Sequence, residues 1–263
     1  MKFFSIIIPN YNNAPWLRRC LNSVLAQKFT DYEAIIVDDM STDESCGIIE
    51  SYARDFRERK IPVSTYRCGR KRYNGGARNR GLLFSSSQYV LYMDSDDCYA
   101  DDMCLTEIYN ALVANNMPDL LRYNYLLCKD GSEQLVRLSD QKTIAQMVSD
   151  VNVACWLKCV KHDKAVKFPE NTLMEDVAHH IAQLDNVQTV ATLDKAIIKW
   201  NRDNMNSCST NKEQQNGKWR SSLYRYYADL LDLQVEKPEC QAELDKRRAK
   251  ALFNIQNNIF EQG

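Results

Sequence analysis

The densest group of reactive side chains in this 263-residue sequence is Asp94-Ser95-Asp96-Asp97. It closes an apolar run over residues 89–93, so three carboxylates gather at the end of a strand. Like charges this close resist ionisation together, and a cation offsets that cost. Hard oxygen donors in such a place suit Mg²⁺ or Mn²⁺, with water and phosphate filling the remaining positions. The bland alternative is a solvated turn in which Asp97 or Asp101 caps the next helix. A second acidic pair, Asp38-Asp39, closes another apolar run and, taken alone, reads as a turn. Cys155-x3-Cys159-x2-His162 has part of a zinc spacing, but no fourth ligand stands at a suitable distance, so the cysteines are read as core residues. His179 and His180 offer a metal ligand or packed imidazoles, and packing is the favoured reading.

The elements that must position these groups alternate over the first 125 residues. Strand-forming runs over 3–8, 33–37, 62–66, 89–93 and 120–127 are separated by stretches with helical spacing, such as Trp16, Leu17, Cys20, Leu21, Val24 and Leu25. Helix-length connections between strands predict parallel pairing and a doubly wound α/β layer, whose ligand sits beyond the carboxyl ends of the strands. That rule points at residues 9–13, 38–43 and 94–97. The alternation decays after about residue 130. Helical patterns follow near 144–148 and 177–184, then an apolar stretch over 187–200, and an all-helical reading from about 211 interrupted by Pro238.

Composition narrows the classes further. The 44% hydrophobic and 26% charged shares describe an ordinary folded chain. The 34 basic and 35 acidic residues give a net charge of −1, which speaks against a general nucleic-acid coat and leaves no nucleic-acid partner expected. No apolar run approaches the roughly 18 residues of a membrane span. Residues 1–9 lack the form of a signal peptide and read as a buried first strand. The ten cysteines, scattered and without a secretory context, are expected as reduced core residues of a cytoplasmic protein.

Four motifs together resemble the family 2 glycosyltransferases. Ser5-Ile6-Ile7-Ile8-Pro9-Asn10-Tyr11-Asn12 is similar to their opening strand. Ile36-Val37-Asp38-Asp39-Met40-Ser41-Thr42-Asp43 resembles their second-strand motif, with Met40 where Gly or Ser is commoner. Asn74-Gly75-Gly76-Ala77-Arg78-Asn79-Arg80-Gly81 resembles the segment before their metal strand, and Met93-Asp94-Ser95-Asp96-Asp97 the metal motif itself. More loosely, Trp156-Leu157-Lys158, Met174-Glu175-Asp176 and Trp200-Asn201-Arg202 with Asn206-Ser207 follow segments of bacterial members.

The resemblance implies a Rossmann-like A-type fold with a mainly parallel central sheet flanked by helices. It implies a glycosyltransferase domain over 1–210, with a nucleotide-sugar half (about 1–100) and an acceptor half (about 101–210), and a helical C-terminal extension over 211–263. It implies inverting, metal-dependent transfer of a hexosyl or N-acetylhexosaminyl group from a UDP-sugar to a hydroxyl of a glycan or lipid-linked acceptor, in bacterial surface-polysaccharide synthesis. Asp96 is then the direct ligand of Mn²⁺ or Mg²⁺, and Asp94 reaches the ribose or the metal. Asp176, beside Glu175, is the general base, although both would favour a helix N-terminus whatever their chemistry. Asp39 accepts from the uracil N3 and Tyr11 covers the base. Pro9, Asn12 and Ser95 belong to the same donor site. Arg78 meets the diphosphate or pairs with Asp94 or Asp96, and Arg202 lies on a segment that closes over the diphosphate.

Rivals are a sugar-nucleotide nucleotidyltransferase and a non-catalytic binding protein that kept the fold. The first would carry a Gly-rich basic loop where Pro9-Asn10-Tyr11-Asn12-Asn13 stands, and the second would not need Asp94, Asp96 and Asp176 together. A tail with Lys246, Arg247, Arg248 and Lys250 ahead of Leu252, Phe253, Ile255, Ile259 and Phe260 has two readings. It is a helix packed on the domain, or a peripheral contact with the inner membrane face.

Overall fold

A computed structural model describes residues 1–205, 207 and 215–256. In chain order the elements are β1 (Phe4–Asn10), α1 (Ala14–Leu25), β2 (Tyr32–Asp38), α2 (Ser45–Glu58), β3 (Val63–Arg67), α3 (Tyr73–Phe84), β4 (Tyr89–Tyr92), β5 (Cys98–Tyr99), α4 (Cys104–Ala114), β6 (Leu120–Lys129), β7 (Ser132–Val136), α5 (Ile144–Val148), β8 (Lys158–Lys161), α6 (Glu175–Asp185), β9 (Val190–Asn201), α7 (Gln215–Asp232) and α8 (Pro238–Gln256). One sheet runs in the order β3-β2-β1-β4-β8-β6-β9-β5, with β7 pairing β6.

β1 to β4 are all parallel, as the helix-length connections require. Beyond them the sheet is mixed, with β6 and β9 parallel. β8 lies antiparallel between β4 and β6, and β5 and β7 are also antiparallel to their partners. For β7 the reason is the connection: only Asp130 and Gly131, both with positive φ, join it to β6, and a two-residue hairpin turn returns the chain antiparallel.

The strands alternate faces as the pleat dictates. Ile6 and Ile8 of β1 pack with α1, α2 and α4 in one core, while Ile7 enters a smaller core on the opposite face with Ile35, Val37, Ala77 and Tyr92. All three isoleucines are fully buried, each worth roughly 1.5–3 kcal/mol of transfer free energy. α3 lies close on that second face. A Cβ at Gly81 would overlap Ile7, which is why glycine ends the Arg78-Asn79-Arg80-Gly81 run.

A third core gathers Met147, Ile181 and Leu184 against Leu223, Tyr227, Leu230 and Leu244, so α7 and α8 pack on α5 and α6. Lys246, Arg247 and Arg248 of the tail find partners inside it. Arg247 bonds Glu243 at 2.6 Å and Lys246 lies 3.4 Å from the same carboxylate. Arg248 donates to the carbonyls of Leu230 and Leu231 near the end of α7. Ile255 packs against the third core, and Leu252 and Phe253 are exposed. Ile259 and Phe260 lie outside the described residues. Among the described residues no helix is long and apolar enough to cross a membrane.

Of the nine described cysteines, all free thiols, seven are buried, including Cys155 and Cys159 of the candidate zinc spacing. His162 Nε2 lies 2.8 Å from Ser85 Oγ.

Candidate active site

The carboxyl ends of β1, β2 and β4 bring three polar loops together. Asp38 anchors the ends of the first two strands: it accepts from Asn10 Nδ2 at 3.1 Å and from the Ser41 amide at 3.0 Å. Asn12, with φ of 48°, accepts from the Thr42 amide at 2.7 Å, and Asp43 accepts from the Ala14 amide at 2.9 Å. Asp43 therefore satisfies the N-terminus of α1 from a neighbouring loop, in place of the cap that Asn13 does not supply. Asn12 thus works as a loop tie, and Pro9 is a buried strand residue opposite Val37.

Tyr11 is 42% exposed, which leaves its ring available for stacking. Lys71 Nζ lies over that ring, 2.7 Å from its centroid, and 3.1 Å from an Asp39 carboxylate oxygen. Asp39 also accepts from the Arg72 and Tyr73 amides, both at 2.8 Å, and is almost fully buried. Lys71 therefore stands between Tyr11 and Asp39. Sequence reasoning missed Lys71, whose loop has no periodicity to read.

At the end of β4 the three aspartates diverge. Asp94 ion-pairs with Arg78 at 2.6 Å. Asp96 accepts from Asn204 Nδ2 at 2.7 Å, and Arg19 donates to the Asp96 carbonyl at 2.8 Å. Asp97 is buried and accepts from the Asn201 amide at 2.8 Å, so it ties β4 to the end of β9 rather than capping α4. Ser95 is buried and accepts from Asn13 Nδ2 at 3.0 Å. Burial and then the Asp94 charge push Asp96 up to about 6. The surplus of hard anionic oxygen at Asp94 and Asp96 fits a divalent cation. Among the described residues no three Asp, Glu, His or Cys side chains converge on one point, so these two carboxylates would share a cation with water and a bound diphosphate.

Arg78 joins this strand end to the acceptor side. It is 1% exposed, and its two terminal nitrogens bond Asp94 and Glu175 at 2.6 Å each, with Asp176 at 3.9 Å. Of the roles open to it, pairing with Asp94 is the one found. Its Nε is buried and has no hydrogen-bond partner among the described residues. The Gly75–Gly81 segment builds the arrangement. A Cβ on Gly75 would strike the Pro169 carbonyl, and Glu175 Cβ lies 3.4 Å from the same point, so glycine lets the loop before α6 approach α3. Asn79 locks that loop reciprocally, donating to the Phe168 carbonyl at 3.0 Å and accepting from the Phe168 amide at 2.8 Å.

Glu175 and Asp176 occupy the first turn of α6, where the helix dipole favours negative charge. Their exposures differ: the Glu175 side chain is 4% exposed and that of Asp176 is 36%, so only Asp176 can meet a substrate. Burial raises the pKa of both, with Arg78 opposing it. His179 stacks on Phe168 with ring centroids 3.5 Å apart and is buried, which is the packing role. Arg202 stacks on Trp200 at 4.6 Å, and its amide donates to Cys128. The Ser207 amide donates to the Asn204 carbonyl at 3.2 Å, and Asn206 lies outside the described residues.

Such a mixed sheet, with acidic strand ends facing an acidic helix start, is the layout of a nucleotide-sugar enzyme. A sequence model of glycosyl transferase family 2 matches residues 5–141, and the chain belongs to that family. Poly(ribitol-phosphate) beta-N-acetylglucosaminyltransferase TarP of Staphylococcus aureus is 38% identical over 123 residues, covering 44% of this chain and 35% of TarP. The chain thus spans about a third of the length of that relative. The crystal structure of residues 1–349 of S. aureus TarS in complex with UDP-GlcNAc superposes with a TM-score of 0.67 at 24% identity, over 95% of this chain and 71% of the other. The mannosyltransferase PcManGT from Pyrobaculum calidifontis, in complex with GDP-Man and Mn²⁺, gives 0.67 at 14% identity, over 97% and 75%. These two likenesses establish the A-type glycosyltransferase fold.

Proposed function

We propose that this chain transfers a sugar from a UDP-sugar to a hydroxyl of a glycan or lipid-linked acceptor, with inversion at the anomeric carbon, in bacterial surface-polysaccharide synthesis. The observation that carries the reading is Arg78. It couples a strand-end carboxylate of the donor side, Asp94, to the acceptor-side pair Glu175 and Asp176 within one buried ion cluster. TarP is named for N-acetylglucosamine transfer and a TarS structure holds UDP-GlcNAc, which supports a UDP-N-acetylhexosamine donor.

In this mechanism the donor half, about residues 1–100, binds the nucleotide. Tyr11 covers the uracil and Asp39 accepts from its N3, with Lys71 moving off the ring. Asp96 and Asp94 would hold Mn²⁺ or Mg²⁺, which when bound supplies charge stabilisation to the departing diphosphate. Asp176 takes the proton of the acceptor hydroxyl on its exposed side, and the hydroxyl oxygen attacks the anomeric carbon from the face opposite the leaving group. Glu175 is buried and holds Arg78. One base and one displacement give inversion without a protein nucleophile. Residues 101–210 frame the acceptor, and α7 and α8 of the C-terminal extension brace α6. A nucleotide donor places the reaction in the cytoplasm. Membrane contact by the tail would rest on exposed Leu252, Phe253 and Lys250.

The test is a panel of UDP-sugars assayed for UDP release with acceptor and Mn²⁺, using wild type and Asp176→Asn. The variant should retain UDP affinity and lose at least about a hundredfold in turnover, the usual scale for a general base. Undiminished turnover in Asp176→Asn, or release of pyrophosphate in place of UDP, overturns the reading.

A further inference from the structure

The chain leaving β9 is tied down at successive residues. The Asn201 amide donates to Asp97 Oδ1 at 2.8 Å, the Arg202 amide to the Cys128 carbonyl at 2.8 Å, and the Asp130 amide to Asp203 Oδ1 at 2.8 Å. The Asp203 amide turns back to Asn201 Oδ1 at 3.1 Å. These ties deliver Asn204, which is 3% exposed, to the acidic end of β4.

There the Asn204 carboxamide meets two acceptors. Its Nδ2 donates to Asp96 Oδ2 at 2.7 Å and to Asn13 Oδ1 at 3.1 Å. An ionised carboxylate only accepts, so the amide must face Asp96 with its nitrogen. That orientation sets Asn13 in turn: its oxygen faces Asn204, and its Nδ2 donates to Ser95 Oγ at 3.0 Å. The Asn13 amide is held separately by Ser45 Oγ at 3.3 Å. A chain of hydrogen bonds thus runs from Asp96 through Asn204 and Asn13 to Ser95, and it joins the end of β9 to two of the strand-end loops.

The two aspartates of the metal motif are given different partners. Asp94 takes the guanidinium of Arg78 at 2.6 Å, whereas Asp96 takes a neutral amide. A cationic side chain in the place of Asn204 would neutralise Asp96 and compete with a metal ion for it. A neutral donor fixes the carboxylate and leaves its charge in place. Ordering a loose side chain costs free energy at the moment of binding, and a carboxylate held beforehand avoids that cost. A staple between β9 and the loop after β1 would need only the Asn13 bond, yet the shorter of the two bonds goes to Asp96.

We propose that Asn204 is a positioning residue for the divalent cation, its carboxamide holding the Asp96 carboxylate in a set orientation without neutralising it. This rests on Asp96 being the direct metal ligand.

The experiment is Mn²⁺ binding, followed by electron paramagnetic resonance with UDP present and without donor sugar or acceptor. The proteins are wild type, Asn204→Leu, Asn204→Ala, Asn13→Ala and Asp96→Asn, with folding checked by circular dichroism and metal-free UDP affinity by calorimetry. Removing a group that orients a metal ligand costs about 10–100-fold in metal affinity. Asn204→Leu, similar in size but without a donor, should weaken Mn²⁺ binding by that much and leave metal-free UDP affinity in place. Asn204→Ala carries the test should Asn204→Leu fail to fold. Asn13→Ala leaves the bond to Asp96 standing and should weaken Mn²⁺ binding less. A merely structural tie would lower the melting temperature of the Asn204 and Asn13 variants alike and spare the metal. Folded Asn204 variants that bind Mn²⁺ as wild type does, while Asp96→Asn does not, overturn the role of Asn204 alone. Mn²⁺ affinity untouched by Asp96→Asn overturns the metal assignment and this inference with it.

Discussion

Replacing Arg78 by methionine removes the one cation among the described residues that lies within 4 Å of both the strand-end and the helix-start carboxylates. Asp94, Glu175 and Asp176 are left facing one another, with Glu175 almost fully buried. Breaking a buried pair by deleting one partner costs about 3–5 kcal/mol, and the two 2.6 Å bonds are not additive because they share a guanidinium. Against a total stability of about 5–15 kcal/mol, that is a large fraction. The pH dependence gives the sharper test. Without Arg78, Glu175 and Asp176 have folded-state pKa values further above their unfolded values. The folded variant then binds more protons than the unfolded chain, so its penalty is fully present above the folded pKa and is relieved as pH falls through it. Urea unfolding of wild type and Arg78→Met at pH 5, 6.5 and 8 should show the stability gap narrowing toward low pH. Arg78→Met with Glu175→Gln should recover part of the loss at pH 8, because one unpaired charge is gone. A gap that is constant with pH, or a double variant no better than the single, would show that Arg78 acts by shape and not by charge.

Three further outcomes are expected. Asp96→Asn, measured without metal, should raise the melting temperature at pH 7.5: the Asp96 pKa stands at about 6, above its unfolded value, so its ionisation costs stability above that pH. The gain should vanish below about pH 4, near the unfolded pKa, and a gain independent of pH refutes the cause. Gly81→Ala should destabilise by about 1–3 kcal/mol through overlap with Ile7, although alanine in a helix interior normally gains about 1 kcal/mol over glycine; a stabilised variant would mean that α3 moves aside freely. Tyr11→Ala should weaken UDP binding roughly tenfold, the scale of a lost aromatic stack. Calorimetry returning the wild-type Kd would remove Tyr11 from the nucleotide site.

Much of the donor side was legible because its parts are local. The Ile6, Ile7 and Ile8 alternation, the acidic strand ends and the helical spacing of α1 each show in a window of a few residues. The mixed half was not legible. β5 and β7 are short or wholly at the surface, and the four residues of β8 carry two lysines, one of them buried, so no alternation marks them. The sequence motifs put Arg78 beside carboxylates but could not choose among them, since Glu175 is 97 positions away. Asn204 and Asn13, which bond each other and frame Asp96 and Ser95, meet across 191 positions. Single asparagines in loops carry no periodic signal of such a meeting. Lys158 was read as part of a segment and not as a charge, because one lysine in an apolar stretch does not show whether its ammonium is buried or reaches solvent.

The packing of α6 against α7 and α8 sets an order of assembly. The donor-side strands β1 to β4 lie within the first 92 residues and can pair as soon as they leave the ribosome. The helix that presents Asp176 has its apolar side, Ala178, Ile181 and Leu184, covered by Leu223, Tyr227, Leu230 and Leu244. The loop ahead of it is tied to the start of that cover, with Thr172 Oγ1 donating to the Ser222 carbonyl at 3.3 Å. A nascent chain therefore has its four parallel strands before the first turn of α6, which carries Asp176, is braced from behind. The interval lasts until translation has passed residue 244, so the acidic start of α6 is the last of the clustered carboxylates to be set against the strand ends.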